Sequence, residues 1–163
     1  YNVVEKLIKK GHRKIGFVGA IENLNMSKDR FIGYKNALFD NKISYDESIV
    51  VHKDEFIENE GQSACNELLQ NKDITAIVTT DDLIAFGIMK ELKLKNIDNI
   101  SIVGFNNTPL SAYQNPPLAT VDINAYELGY SAVKLLINNL EGKEHAKRHY
   151  IVDTEFIERE SFI

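Results

Sequence analysis

Two adjacent aspartates, Asp81 and Asp82, separate a short apolar run from a segment with helical spacing in the stretch TAIVTTDDLIAFG. Carboxylates at such a point could act as acid and base, hold a metal ion, begin a helix, or accept hydrogen bonds from ligand hydroxyls. Arg30 and the pair Asn106–Asn107 also come shortly after apolar runs. Carboxylates, amides and a guanidinium can all make paired hydrogen bonds with neighbouring hydroxyls, which is the chemistry of a sugar site.

Apolar runs rich in Ile and Val alternate with segments of helical periodicity along the chain. The runs predict strands over 14–19, 48–52, 75–80, 101–105 and 119–123, with a last strand around 150–157. The periodic segments predict helices over 2–10, 27–38, 58–70, 82–94 and about 125–140. Short apolar strands separated by helices are typical of a doubly wound parallel sheet with helices on both faces. We therefore predict one α/β domain over residues 1–163.

The carboxyl ends of the predicted strands gather most of the polar candidates. Ligands of open parallel sheets bind beyond those ends. Residues 20–25 and Arg30 follow the first predicted strand, and Lys53, Asp54 and Glu55 follow the second. Asp81 and Asp82 follow the third strand, and Asn106 and Asn107 follow the fourth. We expect these residues to converge on a neutral ligand rich in hydroxyls. A phosphate group would favour a glycine-rich loop, and GFVG at 16–19 lacks the spacing of the nucleotide-binding motifs.

Each candidate residue also has a purely structural interpretation. Asp82 directly precedes a helical pattern, so we predict it as the N-cap of that helix, which leaves Asp81 free to face the ligand. Ser27 is the predicted cap of the earlier helix. Arg30 could reach only solvent, and Asn106–Asn107 could form a turn and nothing more.

Composition argues against several classes of function. The net charge of −5 provides no basic field to attract nucleic acid or an anionic membrane. The histidines are scattered and Cys65 is the one cysteine, so neither a metal site nor an internal disulfide is expected; the histidines are His12, His52, His145 and His149. No nucleophile or phosphate-binding motif accompanies the carboxylates, which predicts a protein that is not an enzyme and needs no cofactor.

The chain also lacks the signals of membrane insertion and export. No apolar stretch reaches the roughly 18 residues of a membrane-spanning helix, and the first residues do not form the hydrophobic region of a signal peptide. The sequence therefore predicts a cytoplasmic location. One apolar stripe in the predicted helix 125–140 fits a core or an interface; it comprises Tyr126, Leu128, Ala132, Leu135, Leu136 and Leu140.

Several short segments occur in an order and spacing that resemble the LacI/GalR family of bacterial transcription regulators. They are GHRKIGFVG at 11–19, RFIGY at 30–34, TAIVTTDDLIAFG at 75–87, ISIVGF at 100–105, PPLATV at 116–121, ELG at 127–129 and IERES at 157–161. Members of this family carry a helix-turn-helix headpiece followed by two similar subdomains. Their effector, usually a sugar, binds in the cleft between the subdomains.

The resemblance implies that this chain is the C-terminal subdomain with the segment that crosses back to the first subdomain. Residues of about 122–141 would pack in that first subdomain, which is absent here together with the headpiece. A homodimer is implied, and operator DNA would be bound only through the missing headpiece. A solute-binding protein of a sugar transporter, whose fold is similar, is the alternative.

The resemblance also assigns roles to single residues. Arg30 matches an arginine that binds effector hydroxyls, Asp81 a position commonly occupied by an effector-binding asparagine, and Asn106 a commonly acidic effector position. Asp82 matches the aspartate that follows, and Asn107 is a further candidate. Asp81 and Asn106–Asn107 depart from the common Asn and Asp-Asp. The combination of TTDD, FNN and VDIN is similar to the maltose-type repressors of Gram-positive bacteria.

Overall fold

A computed structural model describes residues 1–21, 24–71, 73–142 and 150–163 of this protein. Within these residues the helices are α1 (Asn2–Lys9), α2 (Asn25–Asp40), α3 (Glu58–Leu68), α4 (Asp82–Leu94) and α5 (Ala125–Leu140). The strands are β1 (Ile15–Ala20), β2 (Val50–Lys53), β3 (Ala76–Thr79), β4 (Ser101–Phe105), β5 (Ala119–Asp122) and β6 (Glu155–Ile157). Two short 3-10 helices cover Glu47–Ile49 and Pro109–Tyr113.

The strands form one sheet in the order β2-β1-β3-β4-β5-β6. β1 to β5 pair in parallel, which confirms the predicted α/β class. β6 runs antiparallel to β5, so the sheet is parallel except at this edge. β1 lies between β2 and β3, so the chain moves to one side of β1 to form the second strand and to the other side to form the third. This point of reversal is where ligands of doubly wound sheets bind.

Apolar side chains cover both faces of the sheet. One face packs on α3 and α4, through a core that includes Val18, Ile77, Ile84 and Ile88. The other face packs on α1 and α2, where Phe17 lies 5.1 Å from Tyr34 between ring centroids. Alternate residues of β1 thus point to opposite cores, which explains why its sequence is almost continuously apolar.

Helix α5 takes no part in either core. Ser131 is its one buried residue, whereas Leu128, Leu136 and Leu140 are 49, 57 and 79% exposed. The predicted apolar stripe therefore exists on a helix that has little cover within the described residues. Water contact with so many large apolar side chains is unfavourable, and a patch of this kind commonly marks an interaction surface.

Both predicted helix caps are wrong. Asp81, and not Asp82, is the N-cap of α4, because its Oδ1 accepts a hydrogen bond from the Leu83 N–H at 2.7 Å. Asp82 is instead the first helical residue and is completely buried. In α2 the helix begins at Asn25 after Leu24, so Ser27 is a buried residue inside its first turn.

The buried Asp82 carboxylate joins three parts of the chain. Its Oδ2 accepts hydrogen bonds from the Thr108 N–H at 2.8 Å, the Thr108 hydroxyl at 3.1 Å and the Ser111 hydroxyl at 2.8 Å. Its Oδ1 accepts one from the Thr120 hydroxyl at 2.6 Å. Gly104 is required beside it, because a Cβ there would lie 2.2 Å from Oδ1. Asp82 therefore ties α4 to the loop after β4 and to β5.

We expect Asp82→Asn to lower the free energy of unfolding by about 2 to 3 kcal/mol, because an amide cannot accept all four of these hydrogen bonds. Asp81→Asn is the matched control and should change it by less than about 1 kcal/mol, since asparagine is an equally good N-cap. Urea denaturation of both variants measures the difference. Equal unfolding midpoints would contradict the importance given to the Asp82 network.

Candidate functional site

Arg30, Asp81 and Asn106 meet at the carboxyl edge of the sheet, beside the point where the strand order reverses. Arg30 projects from α2, Asp81 begins α4 and Asn106 follows β4. All three side chains are half-buried. The Asn106 amide Nδ2 donates a hydrogen bond to Asp81 Oδ2 at 2.7 Å. The convergence expected from the ends of the first, third and fourth strands is therefore present in the geometry.

Arg30 is held by two neighbours that the sequence did not single out. Its Nη1 donates a hydrogen bond to the backbone carbonyl of Thr80, the residue directly after β3. Its guanidinium carbon lies 4.4 Å from the centroid of the Phe105 ring, within the range of a cation–π interaction. Among the described residues these contacts use one N–H group and one face of the guanidinium, which has five N–H donors in all. The contact of Phe105 with Arg30 could have been anticipated from its position as the last residue of β4, at the edge where the polar candidates meet.

Burial dominates the electrostatics of the charged pair. It lowers the pKa of Arg30, while the charges of Asp81 and Asp82 oppose that change. Burial raises the pKa of Asp81, and the Asp82 charge acts in the same direction, whereas the Leu83 N–H and the Arg30 charge act against it. The Asp81 carboxylate is thus incompletely solvated, and hydrogen-bond donors from a ligand would compensate for the water that it has lost.

Asn107 has a different set of partners from Asn106. Its side-chain Nδ2 donates to Asp122 Oδ2 at 2.9 Å, and its Oδ1 accepts from Arg159 Nη2 at 2.8 Å. Arg159 also donates to the Leu118 carbonyl at 2.6 Å. Both ends of the Asn107 amide are therefore engaged within the protein. Sequence reasoning missed Arg159, although it lies in the closing IERES segment that carried part of the family resemblance.

The two asparagines share an unusual backbone conformation. Asn106 has a φ of 103° and Asn107 a φ of 48°, in the left-handed region. Asparagine tolerates this region better than most residues, which explains why an Asn-Asn pair can form the turn. Two backbone N–H groups hold this turn against β5: the Asn106 N–H donates to the Val121 carbonyl at 2.9 Å, and the Asn107 N–H donates to the Thr120 side-chain hydroxyl at 3.2 Å.

Other residues predicted for the site lie elsewhere. The Lys53 ammonium contacts the carboxylates of Glu60 and Glu67 on α3, so the expectation that it joins the site is wrong. β2 is an edge strand, and Asp54 and Glu55 after it are exposed. Glu22 and Asn23, within the predicted segment 20–25, lie outside the described residues, as do His145 and His149.

A small cavity opens beside Arg30 and Phe105. Its volume is about 240 Å³, and aromatic rings from Tyr1, Phe17 and Tyr34 contribute to its lining. Polar groups at the strand ends thus lie next to an apolar wall. Such a combination suits a molecule with both hydroxyl groups and apolar ring faces.

The described part of the chain contains neither a candidate metal site nor a helix that could span a membrane. His, Cys, Asp and Glu side chains do not form a group of three that could hold a metal ion among the described residues. The helices of this part are too short or too polar to cross a membrane. Burial raises the pKa of the Cys65 thiol to about 12, so this cysteine is unreactive.

Comparison with known proteins identifies the family. Residues 4–162 match the family described as periplasmic binding protein-like domain. The transcriptional regulator MalR of Clostridium butyricum is 33% identical over 99% of this chain and 49% of its own length. The transcriptional repressor PurR of Vibrio atlanticus is 30% identical, over 98% of this chain and 48% of its own. This chain therefore spans about half the length of these curated relatives.

A solved structure shows the same relationship in three dimensions. The complex of the transcriptional regulator CelR with cellobiose superposes with a TM-score of 0.90 at 25% identity, covering 97% of this chain and 49% of that one. The relatives are named as transcriptional regulators, which confirms the expectation that the chain is not an enzyme. The chain belongs to the family of periplasmic binding protein-like domains, as the effector-binding region of a LacI/GalR-type regulator.

Proposed function

We propose that this chain senses a neutral saccharide, such as maltose, and forms one half of the cleft that binds it. The observation that carries the proposal is the meeting of Arg30, Asp81 and Asn106 at the strand ends, where a guanidinium, a carboxylate and an amide are within reach of one ligand. Neighbouring sugar hydroxyls can accept from Arg30 and donate to Asp81.

The charge distribution favours an uncharged ligand. Arg30 is balanced by Asp81 and by the buried Asp82, and Lys53 is engaged by two glutamates on α3. A phosphorylated sugar would therefore meet more negative than positive charge at this edge. The similarity to MalR and to a regulator crystallised with cellobiose is in keeping with a neutral saccharide. A transporter component is less favoured, because these relatives are named as regulators.

The complete protein is proposed to be a cytoplasmic, homodimeric repressor of this type. Its first subdomain would supply the opposite wall of the cleft, and its helix-turn-helix headpiece would bind operator DNA. Residues of about 122–141, which include α5, would pack in that first subdomain. The exposure of Leu128, Leu136 and Leu140 supports this assignment, because a helix with so much apolar surface needs a partner.

In the complete polypeptide, Arg30→Ala or Asp81→Ala should weaken saccharide binding by about 10- to 150-fold, since hydrogen bonds to charged groups contribute about 1.5 to 3 kcal/mol. The fold should persist, because both side chains lie at the edge of the core. Isothermal titration calorimetry measures the change. Lys35→Ala, an exposed cation on the same helix, is the control and should bind normally. Unchanged affinity in both site variants would remove these residues from the site.

A neutral disaccharide should bind more tightly than its phosphate ester at the same site. The expected ratio is at least about tenfold, because the ester brings up to two negative charges towards Asp81 and Asp82. Competition calorimetry with maltose and its phosphate ester provides the comparison. Tighter binding of the ester would contradict the proposal of a neutral ligand.

The isolated 163-residue chain should self-associate through α5 and bind saccharide poorly. Burying each exposed leucine is worth roughly 1.5 to 3 kcal/mol, so pairing of two copies through this helix is favoured. Light scattering of Leu135→Glu, Leu136→Glu and Leu140→Glu variants tests this surface, and each change should shift the chain towards the monomer. Phe39→Glu on α2, at a residue 81% exposed, is the control. A monomeric chain with strong saccharide binding would contradict this prediction.

A further inference from the structure

We propose that Asp81 and Asn106 form one hydrogen-bonded unit that fixes the polarity of the site, so that Asn106 presents a carbonyl oxygen to the ligand. The unit would select a hydroxyl that donates to Asn106 while a neighbouring hydroxyl accepts from Arg30. This inference rests on the proposed saccharide function. It identifies the residue pair that determines which saccharide hydroxyls donate and which accept hydrogen bonds.

The two carboxylate oxygens of Asp81 have separate partners. Oδ1 accepts from the Leu83 N–H and Oδ2 accepts from Asn106 Nδ2, each at 2.7 Å. An ionised carboxylate has only acceptors, so the Asn106 amide must turn its NH2 group towards it. The carbonyl oxygen of that amide then points away from Asp81. Among the described residues this oxygen has no hydrogen-bond partner, and it is available to a donor.

The backbone prevents Asn106 from moving away when its partner changes. Its N–H is bound to the Val121 carbonyl at 2.9 Å. The next residue, Asn107, is held on both sides by Asp122 and Arg159. The Asn106 side chain can therefore respond mainly by rotating its amide. Whether a donor or an acceptor faces the ligand is then decided by the residue at position 81.

Exchanging the two residues should preserve this unit. In Asp81→Asn/Asn106→Asp, the new amide at 81 can cap Leu83 with its oxygen and donate its NH2 group to the new carboxylate at 106. An acceptor oxygen again faces the ligand. Asp81→Asn alone forces the Asn106 amide to rotate and present its NH2 group instead. Asn106→Asp alone places two carboxylates in contact, and these must share a proton.

Saccharide affinity of the complete polypeptide at pH 7 tests the unit. Each single variant should lose about tenfold or more in affinity, whereas the double exchange should stay within about threefold of the native protein, as coupled neighbours do in a double-mutant cycle. Asn99→Asp adds the same charge at an exposed residue before β4 and should bind like the native protein. A double exchange no better than the weaker single variant would overturn the unit.

A second measurement does not depend on the ligand. Asp81 at the N-cap of α4 contacts Asn106, and Arg30 on α2 and Asp82 on α4 act electrostatically on Asp81. Asp122 of β5 and Arg159 after β6 bind the neighbouring Asn107. In Asn106→Asp the shared proton raises the folded-state pKa of the pair above its unfolded value, so stability should fall as the pH rises from about 5 to 7. The double exchange should lose less, because it contains no pair of carboxylates in contact at these two positions.

Urea denaturation at both pH values separates the two proposals. If the native protein binds no saccharide but Asn106→Asp shows the steeper loss of stability, the saccharide function fails and the paired unit stands. If Asn106→Asp follows the pH dependence of the native protein, the paired unit is overturned, whatever the ligand.

Discussion

A buried carboxylate organises the carboxyl edge of this sheet. Asp82 accepts hydrogen bonds from Thr108, Ser111 and Thr120, which lie 26, 29 and 38 residues further along the chain. Burying a carboxylate is unfavourable unless its acceptors are satisfied, so such a group requires one arrangement of its donors and tolerates few others. Because Asp82 is fixed inside, Asp81 is left at the edge, where it begins α4 and contacts Asn106.

The same edge connects the candidate site to β5 and to the segment after β6, which lie on either side of α5 in the chain. Asn107 follows Asn106 directly and binds Asp122, the last residue of β5, as well as Arg159 after β6. β5 leads to α5, and β6 brings the chain back. A displacement of Asn106 by a ligand would therefore act on both connections through one turn of two residues.

The sequence predicts most elements because their signals are local. The bounds of α4 and β4 agree with the predicted helix 82–94 and strand 101–105, and the meeting of Arg30, Asp81 and Asn106 follows from the rule that parallel strands end at one edge. The exchanged roles of Asp81 and Asp82 could not be predicted, because distant hydroxyls decide which carboxylate is buried. The antiparallel direction of β6 and the pairing of Lys53 with α3 likewise depend on contacts that periodicity does not contain.

Arg30 shows how far the site is assembled without a ligand. A free arginine side chain loses about 2 kcal/mol of conformational entropy when it is immobilised. Here the Thr80 carbonyl and the Phe105 ring already hold the guanidinium, and the charges of Asp81 and Asp82 oppose the lowering of its pKa by burial. That entropy is lost on folding and not on binding, which favours affinity for any ligand whose hydroxyls match the fixed donors. In the proposed complete protein, the opposite wall of the cleft would close over this half of the site, and such a closure is a step through which a ligand can change the shape of a two-part protein.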